Sequence, residues 1–340
     1  MKPTMQDVAD LARVSRATVS RVLADSPNVS MDKRALVLDA VEKLGYKPHK
    51  KLRPRYQLLV CIAPHQKADP FHTHIIEGIQ AAVRTHRLKL SRLQLQAFSS
   101  RPPQRQLPPS MAKAIAQAQG LIILGNLPLS EEHHLYLHQN GIPTVIIHGT
   151  GSSQLCSYVG IDERRAMIEA VNELVRLGHR RIAYIHGPED DQDHQERLRA
   201  FKLALLSAHL AESLRMIVQA KSWCQQGGCE AAGRLLTTFM PSAMITANDL
   251  LALGVYQAIK EAGLRIPDDI SVIGFGDLDC ANDADPPLST IAVPLRSIGG
   301  WAVAMLYNKI LDQDLKPVRL TVPTVFKSRG STARAKTYTR

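Results

Sequence analysis

Residues 4–44, TMQDVADLARVSRATVSRVLADSPNVSMDKRALVLDAVEKL, hold three short amphipathic segments separated by capping residues. Thr4 and Asp7 form a capping box, which predicts a helix over 5–12 with Val8, Ala9 and Leu11 turned inward. Ser15 caps a second helix over 16–23 after only two connecting residues, Arg13 and Val14, and that tight junction is a helix-turn-helix signature. Ser30 caps a third helix over 31–44, and Gly45 closes it in the left-handed conformation that a residue without a side chain tolerates best.

The second helix is expected to enter the major groove of DNA, where base edges present an unambiguous donor and acceptor pattern. Its periodicity turns Arg16, Ala17, Ser20 and Arg21 outward and leaves Val19, Val22 and Leu23 for the core. Arg16 can fork two bonds to a guanine and Ala17 can touch a thymine methyl. Thr18, Ser20 and Arg21 suit phosphates or the base edges beside them. A small solvated three-helix bundle has the same periodicity, and the distribution of charge separates the two. The chain of 340 residues has a formal net charge of +11, and residues 1–57 hold twelve Lys/Arg against six Asp/Glu, a net of +6. Positive charge is therefore densest around the groove-reading helix, which fits a polyanionic partner.

At this length two or three folding units are expected, and a 45% apolar content suffices for a sizeable core. No apolar run reaches the roughly 18 residues that span a bilayer, and the N-terminus lacks the apolar core of a secretion signal, so a cytoplasmic protein without membrane contact is expected. Five scattered cysteines, Cys61, Cys156, Cys224, Cys229 and Cys280, include no CxxC pair and point to reduced thiols, without a metal site.

From Leu58 onward short apolar runs alternate with amphipathic segments, the pattern of α/β units with parallel sheets. Strands are expected at 58–63, 121–124, 144–148, 182–186, 243–246 and 271–275, and helices at 73–85, 163–177, 195–209, 227–238 and 250–262. Ligands gather at the carboxyl ends of such strands. HGPEDDQD and GFGDLD contain neither a P-loop nor GxGxxG, and no nucleophile or metal-ligand pair has catalytic spacing. A non-enzymatic chain without a cofactor is expected, divided into a head (1–48), a short basic linker (49–57), an α/β body (58–333) and a basic tail (334–340).

DVADLARVSRATVSRVL, followed by NVS and KLGYKP, resembles the head of the LacI/GalR family of bacterial transcription regulators. The likeness continues through ADPFHTHIIEGIQAA, VGIDERRAMIEAVNELVRLGHRRIAYIHGP, ERLRAF, TANDLLALGVYQAIKEAGLRIPDDISVIGF and PPLSTIAVP, and covers residues 4–333. It implies a small all-α helix-turn-helix head and a two-lobed, periplasmic-binding-protein-like α/β body, with chain crossings near Gly160, Ser289 and Thr321 and an effector cleft between the lobes. It further implies a repressor that binds a near-palindromic operator in double-stranded DNA as a homodimer or tetramer. Thr4, Ser15 and Asn28 join the DNA-contacting set. In the family a hinge helix after the head inserts a leucine into the minor groove. Here Leu52 is the one candidate wedge, and Pro48 and Pro54 enclose too few residues for a full helix. Lys50, Lys51 and Arg53 are left to hold phosphates as an extended arm.

For the cleft the resemblance implies Phe71, His72, Asn126, His148, Arg197, Trp223, Asn248 and Asp249. Aromatic faces stack on rings, the guanidinium forks two bonds, and amides both donate and accept. Taken alone, Phe71 and Trp223 are more often core residues, Arg197 suits a surface pair with Asp193 or Glu196, and Asn248 or Asp249 a helix cap. Many relatives read GFDD or GYDD where this chain reads GFGD. Gly276 thus replaces a carboxylate that accepts from sugar hydroxyls, and Asp277, the remaining acid of that loop in the effector set, is expected to point elsewhere. Loss of an acceptor beside Arg197, His72 and His148 shifts the expected effector from a neutral sugar toward a sugar acid or sugar phosphate.

Overall fold

A computed structural model describes residues 3–23, 29–46, 56–62, 69–94, 109–125, 127, 129–148, 154–188 and 192–336. The chain forms two compact units, Met1–Arg55 and Tyr56–Arg340.

In the head, α1 (Met5–Leu11), α2 (Arg16–Leu23) and α3 (Met31–Leu44) enclose Val8, Ala9, Ala12, Val19, Val22, Val37, Ala40 and Tyr46. The Asp7 amide donates to Thr4 Oγ1 (3.3 Å) and the Thr4 amide to Asp7 Oδ2 (2.6 Å), closing the expected capping box. Ser15 Oγ accepts from the Thr18 amide (3.1 Å) at the start of α2. Two head expectations fail. Leu11 is 49% exposed, because the buried stripe runs through Val8, Ala9 and Ala12 and leaves position 11 on its flank. Ser30 makes no side-chain cap bond to α3, whereas Gly45 does close that helix at φ 58.

In the body the chain runs β1 (Gln57–Ile62), α4 (Pro70–Thr85), β2 (Lys89–Gln94), α5 (Pro109–Ile115), β3 (Gly120–Leu124), α6 (Glu131–Gln139), β4 (Thr144–Ile147) and β5 (Ser157–Ile161). It then builds a second lobe from α7 (Glu163–Arg176), β6 (Ile182–His186), α8 (Gln192–Ser207), a 3-10 turn at Ala211–Met216, β7 (Ile217–Gln219), α9 (Gln225–Thr238), β8 (Ala243–Thr246), α10 (Asp249–Glu261), β9 (Ser271–Gly276), α11 (Asp279–Asp283) and β10 (Ser289–Ala292). The return through α12 (Leu295–Leu311) and β11 (Arg319–Val322) rejoins the first lobe, and β12 (Val325–Lys327) ends in the second.

Among the described residues there are two sheets, ordered β11-β5-β4-β3-β1-β2 and β12-β10-β9-β8-β6-β7. Each described pairing is parallel except the antiparallel β10–β12 pair. The chain changes sheet between β5 and α7, between β10 and α12, and between β11 and β12. Each passage leaves the carboxyl end of a parallel strand.

Two contacts show how tightly the lobes are built. Helices α4 and α12 cross so closely that a Cβ on Gly78 would lie 1.9 Å from the Arg296 carbonyl oxygen, and one on Gly299 would lie 2.2 Å from that of Ile75. In the second lobe Asp249 is fully buried, its Oδ1 accepting from the Thr290 hydroxyl (2.6 Å) and its Oδ2 from the Leu278 amide (2.7 Å). This removes Asp249 from the expected effector contacts, because both oxygens are spent tying α10 to β10 and to the start of α11. Burial pushes its pKa up from 3.8 to about 6 against the opposing hydrogen bonds from Thr290 and Leu278.

Gly299→Ala is expected to lower the unfolding free energy of the full chain by about 1–3 kcal/mol, because backbone faces backbone there and cannot yield. An unchanged urea midpoint would refute the close crossing. For Asp249 the sign follows from a folded pKa above the unfolded one: its favourable contribution is complete below 3.8 and is lost as pH rises through about 6. Wild type should therefore lose stability relative to Asp249→Asn as pH climbs through that window. A pH-independent difference in unfolding free energy would contradict this.

Candidate functional site

In the head, Ser15, Arg16, Ala17, Ser20 and Arg21 are exposed together along α2, while Val19 and Val22 are buried beneath them. Thr18 is half-buried, and its hydroxyl lies 2.9 Å from that of Ser15. Thr4, Ser15 and Thr18 thus fix helix starts, and Arg16, Ala17, Ser20 and Arg21 form the outward face. Asn28, Lys50, Lys51, Leu52, Arg53 and, in the body, Asn126 lie outside the described residues.

The carboxyl edge of the first sheet brings Phe71, His72 and His148 together. Asp69 caps α4 by accepting from the Phe71 amide (3.3 Å), and its other oxygen meets His72 Nδ1. The Phe71 ring lies 5.6 Å from that of His72 and 5.4 Å from that of His148, centre to centre. His148 follows β4 at φ 54 and is buried.

On the second lobe Arg197 projects from α8 and is 8% exposed. Its Nη1 donates to the Ala247 carbonyl (2.6 Å), its Nε lies 3.3 Å from Glu163 Oε2, and its guanidinium sits 4.7 Å from the centre of the Phe275 ring. Arg197 is therefore a buried cation paired with Glu163, while Glu196 of the expected surface pair meets Arg199 (2.6 Å); the Asp193 side chain lies outside those described. Because Glu163 is the first residue of α7, immediately after the first passage between lobes, this ion pair ties a cleft residue to the hinge.

Trp223 lies against Gly187, where a Cβ would come within 2.4 Å of the indole. Its carbonyl accepts from Asn248 Nδ2 (3.1 Å), while Asn248 Oδ1 caps α10 by accepting from the Leu251 amide (2.7 Å). Asn248 therefore orients Trp223 and starts α10, so both ends of its amide are already occupied. Asp277 is a second correction. Its carboxylate pairs with Lys327 and Arg329. Burial alone would raise its pKa, but the hydrogen bonds and charges of those two cations outweigh that and hold it below the ordinary value. The acid next to Gly276 consequently fastens β9 to the strand that follows the last passage and does not face a ligand.

Sequence reasoning missed Asp69, His74, Glu163 and Phe275. His74 Nε2 on α4 lies 3.5 Å from Asp279 Oδ2 on α11, a contact between the two lobes. The signal for His74 was its spacing, one turn after Phe71 on the same helix face. Glu163 and Phe275 carry no local signal, because their partner Arg197 is remote in sequence. Among the described residues no group of three or more His, Cys, Asp or Glu could hold a metal ion, and no helix is long and apolar enough to cross a membrane.

Comparison with known proteins agrees with this layout. The family model for bacterial regulatory proteins, lacI family, matches residues 4–49, and that for a periplasmic binding protein-like domain matches residues 171–332. The chain is 30% identical to the HTH-type transcriptional regulator MalR of Streptomyces coelicolor, with 98% of each chain covered. It is also 30% identical to the HTH-type transcriptional repressor CytR of Escherichia coli, over 97% of this chain and 96% of the relative. The solved structure of a transcriptional regulator CelR-cellobiose complex is similar with a TM-score of 0.70 and 27% identity, covering 97% of this chain and 99% of that one. Head and body alike are matched, and the chain belongs to the LacI family of bacterial regulatory proteins, which makes it a DNA-binding regulator of transcription.

Proposed function

We propose that this chain acts in the cytoplasm as a homodimeric repressor of a near-palindromic operator, and that a small polar ring compound bound between the lobes alters its grip on DNA. The observation that carries the reading is the outward face of α2, where Arg16, Ala17, Ser20 and Arg21 stand exposed over a buried Val19 and Val22. Two such helices related by a two-fold axis read two half-sites. The effector acts through its different affinity for two lobe arrangements, and the Arg197–Glu163 pair supplies a link between cleft and hinge.

Charge in the cleft favours a neutral, hydroxyl-rich ring. Arg197 faces Glu163 and His72 faces Asp69, so the positive excess expected from the sequence is offset at both places. Paired donors and acceptors suit hydroxyls, which do both, and Phe71 and Trp223 offer ring faces. The structurally similar CelR complex, which contains cellobiose, supports a sugar. An acidic derivative is the second reading, favoured by Gly276 and by the engagement of Asp277 with Lys327 and Arg329, which leave that loop without a free carboxylate.

Selection of duplexes from a random pool by the full chain should yield a two-fold symmetric winner. Arg16→Ala should then cost about 1–3 kcal/mol on that duplex and relax the preference at one position of each half-site. An unenriched pool would end the proposal. Calorimetric titration with neutral sugars and with their acid and phosphate counterparts decides the effector class. Binding of a neutral sugar, weakened about 10- to 100-fold by Arg197→Ala, is expected from the loss of hydrogen bonds to a charged group. Binding of the acids alone would select the second reading.

A further inference from the structure

Residues 78–130 contain seven Lys/Arg and no Asp or Glu. Three of those cations, Arg84, Arg87 and Lys89, sit where α4 ends and β2 begins, and Lys113 lies in the last turn of α5, which leads to β3. The amino ends of β2, β1 and β3 are neighbours in the first sheet, so the four residues lie at one end of that lobe, opposite the effector edge, with Arg84, Arg87 and Lys89 around the end of α4 and Lys113 on α5, which packs on the other face of the sheet. All four are exposed, and none has an ion-pair partner among the described residues. Asp312 and Asp314 follow α12, whose Leu306 and Ile310 side chains meet Gly120 at the start of β3, and neither is paired with any of the four cations among the described residues. Glu77, further back on α4, is already paired with Arg296 (2.9 Å).

This end of the lobe is stiff. The Lys89 amide donates to the Tyr56 carbonyl (2.9 Å), the Gln119 amide to Gln57 (2.8 Å), and the Gln57 amide to Gln119 Oε1 (2.7 Å). The Tyr307 ring meets Tyr56 at 6.3 Å and His86 at 4.8 Å. Arg87 takes a left-handed φ of 52, which costs a side-chain-bearing residue about 1 kcal/mol relative to glycine, yet its side chain is exposed and packs no core. The linker, whose Lys47, Lys50, Lys51, Arg53 and Arg55 are themselves basic, enters the body here at Tyr56. Ten peptide steps separate Tyr46 from Tyr56, about 35 Å when fully extended, which is the length of roughly ten base pairs.

We infer that this end of the lobe, through Arg84, Arg87, Lys89 and Lys113, is a second DNA-binding surface that holds backbone phosphates of the duplex flanking the operator. The inference rests on the operator-binding reading and extends it to the body. Cations without an ion-pair partner among the described residues, at the point where the chain arrives from a DNA-binding head, gain counterion-release affinity without choosing sequence. The surface thus adds salt-dependent hold, while α2 supplies the choice of site.

The test uses the full chain and the duplex it selects from a random pool, either as a bare core of about 20 base pairs, two half-sites of roughly one turn each, or with about one and a half turns of neutral-sequence flank on each side. On the flanked duplex, Arg87→Gln/Lys89→Gln/Lys113→Gln should reduce the slope of log affinity against log salt by about 5, at about 0.9 per phosphate for three cations in each of two protomers. It should leave affinity for the bare core unchanged. The charge-retaining Arg87→Lys/Lys89→Arg/Lys113→Arg should keep the wild-type slope, and so should neutralisation of Lys202, Arg215 and Lys260 on the other lobe. A wild-type slope for the neutral variant on the flanked duplex would overturn the inference and point to an acidic protein as the partner of this end of the lobe, and so would an equal loss from the other-lobe control. Wild type alone must also bind the flanked duplex more tightly than the core; equal affinity ends the idea even if a variant fails to fold. Selection of a core with no effect of flank defeats this inference only, whereas failure to select any core defeats the operator-binding reading beneath it.

Discussion

Parallel strands impose the constraint on which this body depends. Their backbone groups are satisfied only inside the sheet, both faces are covered by helices, and the loops at their carboxyl ends collect along one edge. In this chain the passages between sheets leave from that same edge, after Ile161, Ala292 and Val322. The hinge and the candidate effector residues are therefore neighbours by topology. Glu163, the first residue of α7, can hold Arg197 because the first passage ends there.

The electrostatics of the cleft follow from burial. A guanidinium that is 8% exposed needs an acid, acceptors or a π face, and Arg197 has Glu163, the Ala247 carbonyl and the Phe275 ring. Asp249 and Asp277 show two outcomes for buried acids in one lobe. With neutral donors around it Asp249 titrates high, whereas Asp277, held by two cations, titrates low. Both are spent on holding strands together, so the acids that the sequence placed in the cleft work as struts of the wall behind it.

The head was legible because its signals are local. Thr4 with Asp7, Ser15 and Gly45 each act within a few residues, and the structure shows the caps they predict. Leu11 was misread because a short helix with a narrow buried stripe gives hydrophobicity little power to choose between positions 11 and 12. In the body the continuous apolar runs at β6 and β8 were readable to the residue, since a buried parallel strand is apolar on both faces. Edge strands were not: Lys89, Arg92 and Gln94 interrupt β2, and β7 has three residues. In the cleft, residue types were visible but their commitments were not. The partners of Asp277, Lys327 and Arg329, are about fifty positions away, and Glu163 is 34 positions from Arg197. Only the folded chain reveals that these groups neutralise one another.

Helix α4 joins these themes in one rigid body. It starts at Pro70 beside Phe71, reaches the other lobe through His74, crosses α12 at Gly78 and ends near Arg84, where the linker enters. Its sixteen residues make a rod about 24 Å long. Since the Gly78–Gly299 crossing leaves no slack for sliding, a rocking of its first turn must be carried to its last, and a tilt of about 10° about that mid-helix crossing moves each end by about 2 Å. The helix is thus a lever pivoting near its middle, with Phe71 and His72 at one arm and the root of the linker at the other.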